Sequence, residues 1–80
     1  MDLRSLTRKQ KRLKDWTNFL EQEVVDDATR VSLTNELKNY RNLLAKVWEE
    51  ERVSEEDEAS IDDLERRIEQ LADDARLLAR

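Results

Sequence analysis

Eighty residues pass without a single glycine or proline. Ordinary usage would supply roughly ten of them in a chain of this length. These two residues punctuate turns and interrupt helices, so their absence predicts helices joined by very short connections. It also argues against a β-rich fold, whose hairpin turns depend on glycine. Cysteine and histidine are missing as well. Disulfides are therefore impossible, and the usual structural zinc sites lack their ligands. A chain this small buries only about 60% of its unfolded surface, which makes a lone core marginal. Disulfides and metals are the common remedies at this size. With both removed, stability has to come from very regular helix packing or from self-association.

Apolar periodicity divides residues 1–80 into three helical segments of one domain, at about 2–22, 27–51 and 55–79. In the first, Leu6, Leu13 and Leu20 recur every seven residues, with Leu3, Gln10, Thr17 and Val24 as the companion row. Together they form a heptad seam with two polar interruptions, and Trp16 lies beside it and widens it. In the second, Leu33, Leu37, Tyr40, Leu44 and Val47 follow the 4-3-4-3 spacing of one helix face, flanked by Leu43 and Trp48. An apolar arc that wide suits a helix touching two neighbours. The third has the cleanest pattern: Ile61, Leu64, Ile68, Leu71, Ala75 and Leu78 step 3-4-3-4-3.

The breaks between segments are expected at Val24-Val25-Asp26-Asp27 and at Arg52-Val53-Ser54. Paired β-branched residues weaken the helix at the first, and a carboxylate of Asp26 or Asp27 can cap the second helix. Ser54-Glu55-Glu56-Asp57 resembles a capping box at the second break, with Ser60-Ile61-Asp62-Asp63 as a competing start. Short connections place consecutive helices antiparallel. The expected architecture is an all-α, up-down-up three-helix bundle. The alternative is a longer helical hairpin or coiled coil, with helices one and two continuous, completed by a second chain.

The residue inventory removes most chemistry. Without Cys or His, the nucleophile–base pairs of acyl-transfer enzymes and the Glu-x-x-His ligands of di-iron bundles cannot form. No glycine-rich loop is present to cradle phosphate. Carboxylate pairs remain at Asp26-Asp27, Asp62-Asp63 and Asp73-Asp74. They read as helix caps and solvated surface ahead of general acid–base or cation sites. The expectation is a protein that is not an enzyme, with no cofactor and no metal.

Charge is unevenly placed. Residues 1–14 carry six basic residues against Asp2, a local charge of +5; residues 49–63 carry nine acids against Arg52, a local charge of −8. Arg4, Arg8, Lys11 and Arg12 form a candidate basic patch. Its preferred reading is a solvated face, or one paired with the acidic 49–63 stretch, within the chain or on a neighbouring copy. A nucleic-acid surface is the second reading, weakened by the net charge of −5 and by the lack of interleaved aromatics. An anionic membrane surface ranks lower. No apolar run approaches the roughly 20 residues of a membrane span, and no apolar core opens a signal peptide. A cytoplasmic or virion-interior protein, not a secreted one, is the corresponding expectation.

Phe19, Val31 and Leu77 sit off the apolar stripes on a helical wheel. With Trp16 and Trp48 they form a candidate partner interface, since tryptophan is enriched at binding hot spots. Core filling is the preferred reading for the two tryptophans. The stretch Leu13-Lys14-Asp15-Trp16 is loosely similar to part of the first helix of spectrin-type repeats. Those repeats are longer than this chain, and four residues carry over no role. The expected function is that of a helical protein–protein interaction module, self-associating as a homo-oligomer, in the role of scaffold, adaptor or regulator. The composition suits a small viral or phage assembly protein. A designed bundle fits too, although Thr17, Asn18 and Asn35 are weak helix formers for a design.

Overall fold

The computed structural model describes residues 3–78, with side chains from 4 to 75. It contains three helices, α1 (Leu3–Gln22), α2 (Asp27–Glu50) and α3 (Glu55–Leu78), and no strand among the described residues. α2 packs against both of the others, giving the up-down-up bundle. The body measures 40 × 19 × 15 Å. A helix of 24 residues spans about 36 Å, so the long axis is set by one helix length.

Side chains close both turns. At the first, Val24 is 86% exposed and Val25 is buried. The Asp26 carboxylate then accepts a hydrogen bond from the Thr29 amide at 3.2 Å, capping α2. Arg30 reaches back from α2 and donates to the Leu20 carbonyl at 2.9 Å and the Glu23 carbonyl at 3.4 Å. These are among the carbonyls that the end of a helix leaves without partners. A polar cap on each side of the break makes α1 and α2 two helices and not one rod.

At the second turn, Glu51 takes the left-handed conformation at φ 53° that a glycine would normally supply. Ser54 then caps α3, its hydroxyl accepting from the Asp57 amide at 3.1 Å. Only half of a capping box forms, because the Asp57 carboxylate turns to Lys46 at 3.4 Å instead. Four acids fill the first turn of α3, Glu55 to Glu58, where they complement the positive end of the helix dipole.

The core lies mainly between α2 and α3. The buried residues of α2 are the five of its periodic face: Leu33, Leu37, Tyr40, Leu44 and Val47. α3 adds Ile61, Leu64, Ile68, Ala72 and Ala75, with Leu71 partly buried. Full burial of a single Leu, Ile or Val side chain favours folding by about 1.5–3 kcal/mol.

α1 departs from its expected seam. Gln10, Thr17 and Val24 of the companion row are exposed, and the Leu3 side chain lies outside the described residues, as does that of Leu78 in α3. The inner line is Leu6, Lys9, Leu13, Trp16 and Leu20, a 3-4-3-4 pattern with a lysine inside it. The helix is turned so that Trp16 enters the core. That turn also brings Phe19 into contact with the core as a partly buried residue.

Candidate interaction surfaces

Lys9 keeps its inner position because α3 offers it a partner. Its ammonium pairs with the Glu65 carboxylate, which also accepts from Arg12 Nη1 at 2.8 Å. Arg12 Nη2 pairs in turn with Glu69. The Arg12 guanidinium lies 4.8 Å from the Trp16 ring centre, within cation–π range. Trp16 meets Tyr40 edge to face at 5.6 Å. These groups make a polar clasp that ties α1 to α3 over the top of Tyr40. The Tyr40 hydroxyl makes no hydrogen bond of good geometry within it. Burial first, and then the nearby Glu65 carboxylate, hold that hydroxyl protonated far above the ordinary phenol range. Elsewhere on α3, Arg67 Nε stands 3.3 Å from Glu36 of α2, close enough for charge attraction without hydrogen-bond geometry.

Between α1 and α2, on the side away from the clasp, runs an open groove of about 450 Å³. Leu13, Leu20 and Leu37 form its floor, and Lys14, Lys38 and Arg41 stand along its rim. No carboxylate of a described residue lines it. The groove exists because α1 reaches the bundle mainly through Leu6, Trp16 and the clasp, leaving Leu13 and Leu20 only partly covered. Apolar floor under a one-signed rim is a surface shaped for an acidic, partly apolar partner.

The sequence-derived candidates separate. Within the basic patch, Arg12 is taken up by Glu65 and Glu69, whereas Arg4, Arg8 and Lys11 are exposed and form no ion pair with a described residue. Its internal partners are carboxylates of the middle of α3 and not of the 49–63 stretch. Within the interface set, Trp16 is in the core and Phe19 is packed against it, so neither stands in an exposed patch. Val31 and Trp48 are 60% and 49% exposed. They sit at opposite ends of α2, about 25 Å apart along its axis, and do not form one continuous patch. The Leu77 side chain lies outside the described residues.

The acid pairs are surface groups. Asp26 is a cap whose bond from Thr29 holds its carboxyl below the usual value, and Asp74 accepts from Gln70 at 3.1 Å. No group of three or more potential ligands is placed to hold a metal ion among the described residues. None of the described helices is long and apolar enough to cross a membrane. Sequence reasoning missed the clasp and the groove. Its one available signal was Lys9, on the same helix side as Leu6, Leu13 and Trp16.

Fold and surface together define a three-helix bundle with an apolar core, an internal ionic clasp and an uncovered groove. Comparison with family models, with characterised proteins and with solved structures gives no match.

Proposed function

We infer that this chain is a non-enzymatic helical protein–protein interaction module, self-associating, in the role of scaffold, adaptor or regulator. The observation that carries the reading is the α1–α2 groove, where leucines remain uncovered beneath a rim of three cations. Apolar surface left open in so small a bundle is stabilised by docking, and a basic rim selects what docks. A cytoplasmic or virion-interior setting accompanies this reading. Sedimentation velocity from micromolar to millimolar concentration tests it, together with a melting temperature that rises with concentration. A single monomeric species with a constant melting temperature would sink self-association.

A nucleic-acid-binding reading rests on Arg4, Arg8 and Lys11, which remain exposed on the side of α1 away from its inner line. It predicts binding to a labelled duplex or single strand that weakens steeply between low and physiological salt. Absence of a mobility shift at low salt removes it. With Arg12 engaged by Glu65 and Glu69, the patch is one cation poorer than the sequence suggested.

A further inference from the structure

α2 carries a second periodic stripe that its core does not use. Val31, Thr34, Lys38, Arg41, Ala45 and Trp48 step 3-4-3-4-3 along its length, and all six are exposed. Thr34, Lys38 and Arg41 are also part of the groove wall. Trp48 therefore lies on the groove's side of α2, beyond the groove's end and toward the turn into α3. It is followed directly by Glu49, Glu50 and Glu51, the start of the most acidic stretch of the chain. A half-exposed tryptophan with the Glu49 carboxylate beside it matches the groove in both respects: an apolar body for the leucine floor and negative charge for the Lys14, Lys38 and Arg41 rim.

We propose that the groove binds the Trp48 corner of a second copy of this chain, with Trp48 on the Leu13–Leu20–Leu37 floor and Glu49, the carboxylate next to it, against the basic rim. The inference rests on the self-association reading and specifies its contact. Within one chain the match cannot close, because Trp48 stands eleven residues from Leu37, about 16 Å along the same helix. Between two copies it closes twice. Groove and corner share one side of α2, so two chains laid antiparallel across that side each insert Trp48 into the other. The result is a two-fold, self-complementary contact that ends at a dimer and does not propagate into a filament. Tryptophan in an apolar pocket rimmed by charge is the usual make-up of an energetic centre at an interface.

The test is sedimentation equilibrium on the full chain, with helicity checked by circular dichroism for each variant. Trp48, Lys38, Arg41 and Glu49 are all exposed, so their substitution leaves the core untouched. Trp48→Ala is expected to weaken the dimer by at least about tenfold. The double reversal Lys38→Glu/Arg41→Glu and the single reversal Glu49→Lys are each expected to weaken it. An equimolar mixture of the two reversed chains regains both matched contacts, acidic groove on basic corner and basic groove on acidic corner, and is expected to associate more tightly than either alone. Arg4→Glu/Arg8→Glu, away from the groove, leaves the dimer constant unchanged. A wild-type dimer that persists undiminished in Trp48→Ala and in both reversals overturns this contact while self-association stands. A wild-type chain that remains monomeric overturns both.

Discussion

α1 and α3 lie against the same central helix and are held there by different means. Among the described side chains, α3 offers five buried residues in a continuous stripe, Ile61, Leu64, Ile68, Ala72 and Ala75. α1 offers two among its described side chains, Leu6 and Trp16, and adds a clasp of Lys9 and Arg12 on Glu65 and Glu69. Apolar burial acts over the whole contact and does not depend on geometry at one point. Ion pairs act where they are made and gain little at an exposed surface. The contrast makes the α2–α3 hairpin the stable unit and α1 the more readily released one, in the sense that local stability follows local burial. It also explains the groove, since a helix anchored by a clasp on one flank need not be covered on the other.

The comparison has a direct test in paired truncations, and there the largest effect is expected. Ile68→Ala, at a site with 0% exposure, should cost about 3–4 kcal/mol in urea unfolding, most of the stability of a domain this size. Leu13→Ala, at a partly buried site over the groove, should cost about 1 kcal/mol. Equal costs would break the contrast.

Glu65→Gln comes next, at about 1–2 kcal/mol, because it leaves Lys9 and Arg12 facing an uncharged group in a partly buried place. Hydrogen exchange sharpens this prediction. Amides of α1 should exchange faster in the variant while those of Leu44, Val47 and Ile68 keep their protection. Uniform loss across all three helices would mean the clasp holds no helix in particular.

The two turns repeat the contrast on a smaller scale. Asp26 and Arg30 close the first with side chains, whereas Glu51 closes the second in a conformation unfavourable to a residue with a Cβ. Glu51→Gly should raise stability by about 0.5–1 kcal/mol, measured as a higher melting temperature. A loss of stability there would show that the carboxylate matters more than the backbone relief.

The smallest effect at neutral pH is expected for Tyr40→Phe, within about 1 kcal/mol of wild type, since the hydroxyl has no hydrogen-bond partner of good geometry among the described residues. The alkaline limb distinguishes the two chains. The folded-state pKa of Tyr40 is raised above its ordinary value of 10.0. Its neutral-state contribution is therefore full below pH 10 and declines as pH rises toward the folded value. Wild type should lose stability above about pH 10 more steeply than Tyr40→Phe. Parallel slopes in denaturant midpoint against pH would refute the burial of that hydroxyl against Glu65.

The sequence by itself determined the helical class, the turn before α3 and the inner faces of α2 and α3, and it placed the first break at Val24-Val25-Asp26-Asp27 while leaving a continuous rod of helices one and two open. These rest on local rules: no residue present breaks a helix cheaply, Asp26 and Ser54 cap the next one, and periods of three and four put Leu33 to Val47 and Ile61 to Ala75 each on one side. On α1 the same rules pointed to Gln10 and Thr17 as seam residues, because a lysine is not an inward residue by its own chemistry. Only the tertiary structure could place Lys9 inside, since what makes the position tolerable is Glu65, fifty-six residues away. The groove arose the same way. Whether Leu13 and Leu20 are covered depends on how α1 is rotated against α2, and that rotation is settled jointly by Trp16, Tyr40 and a clasp on a third helix. Periodicity along a chain fixes which residues share a side; the balance of contacts among three helices decides how far each side is closed.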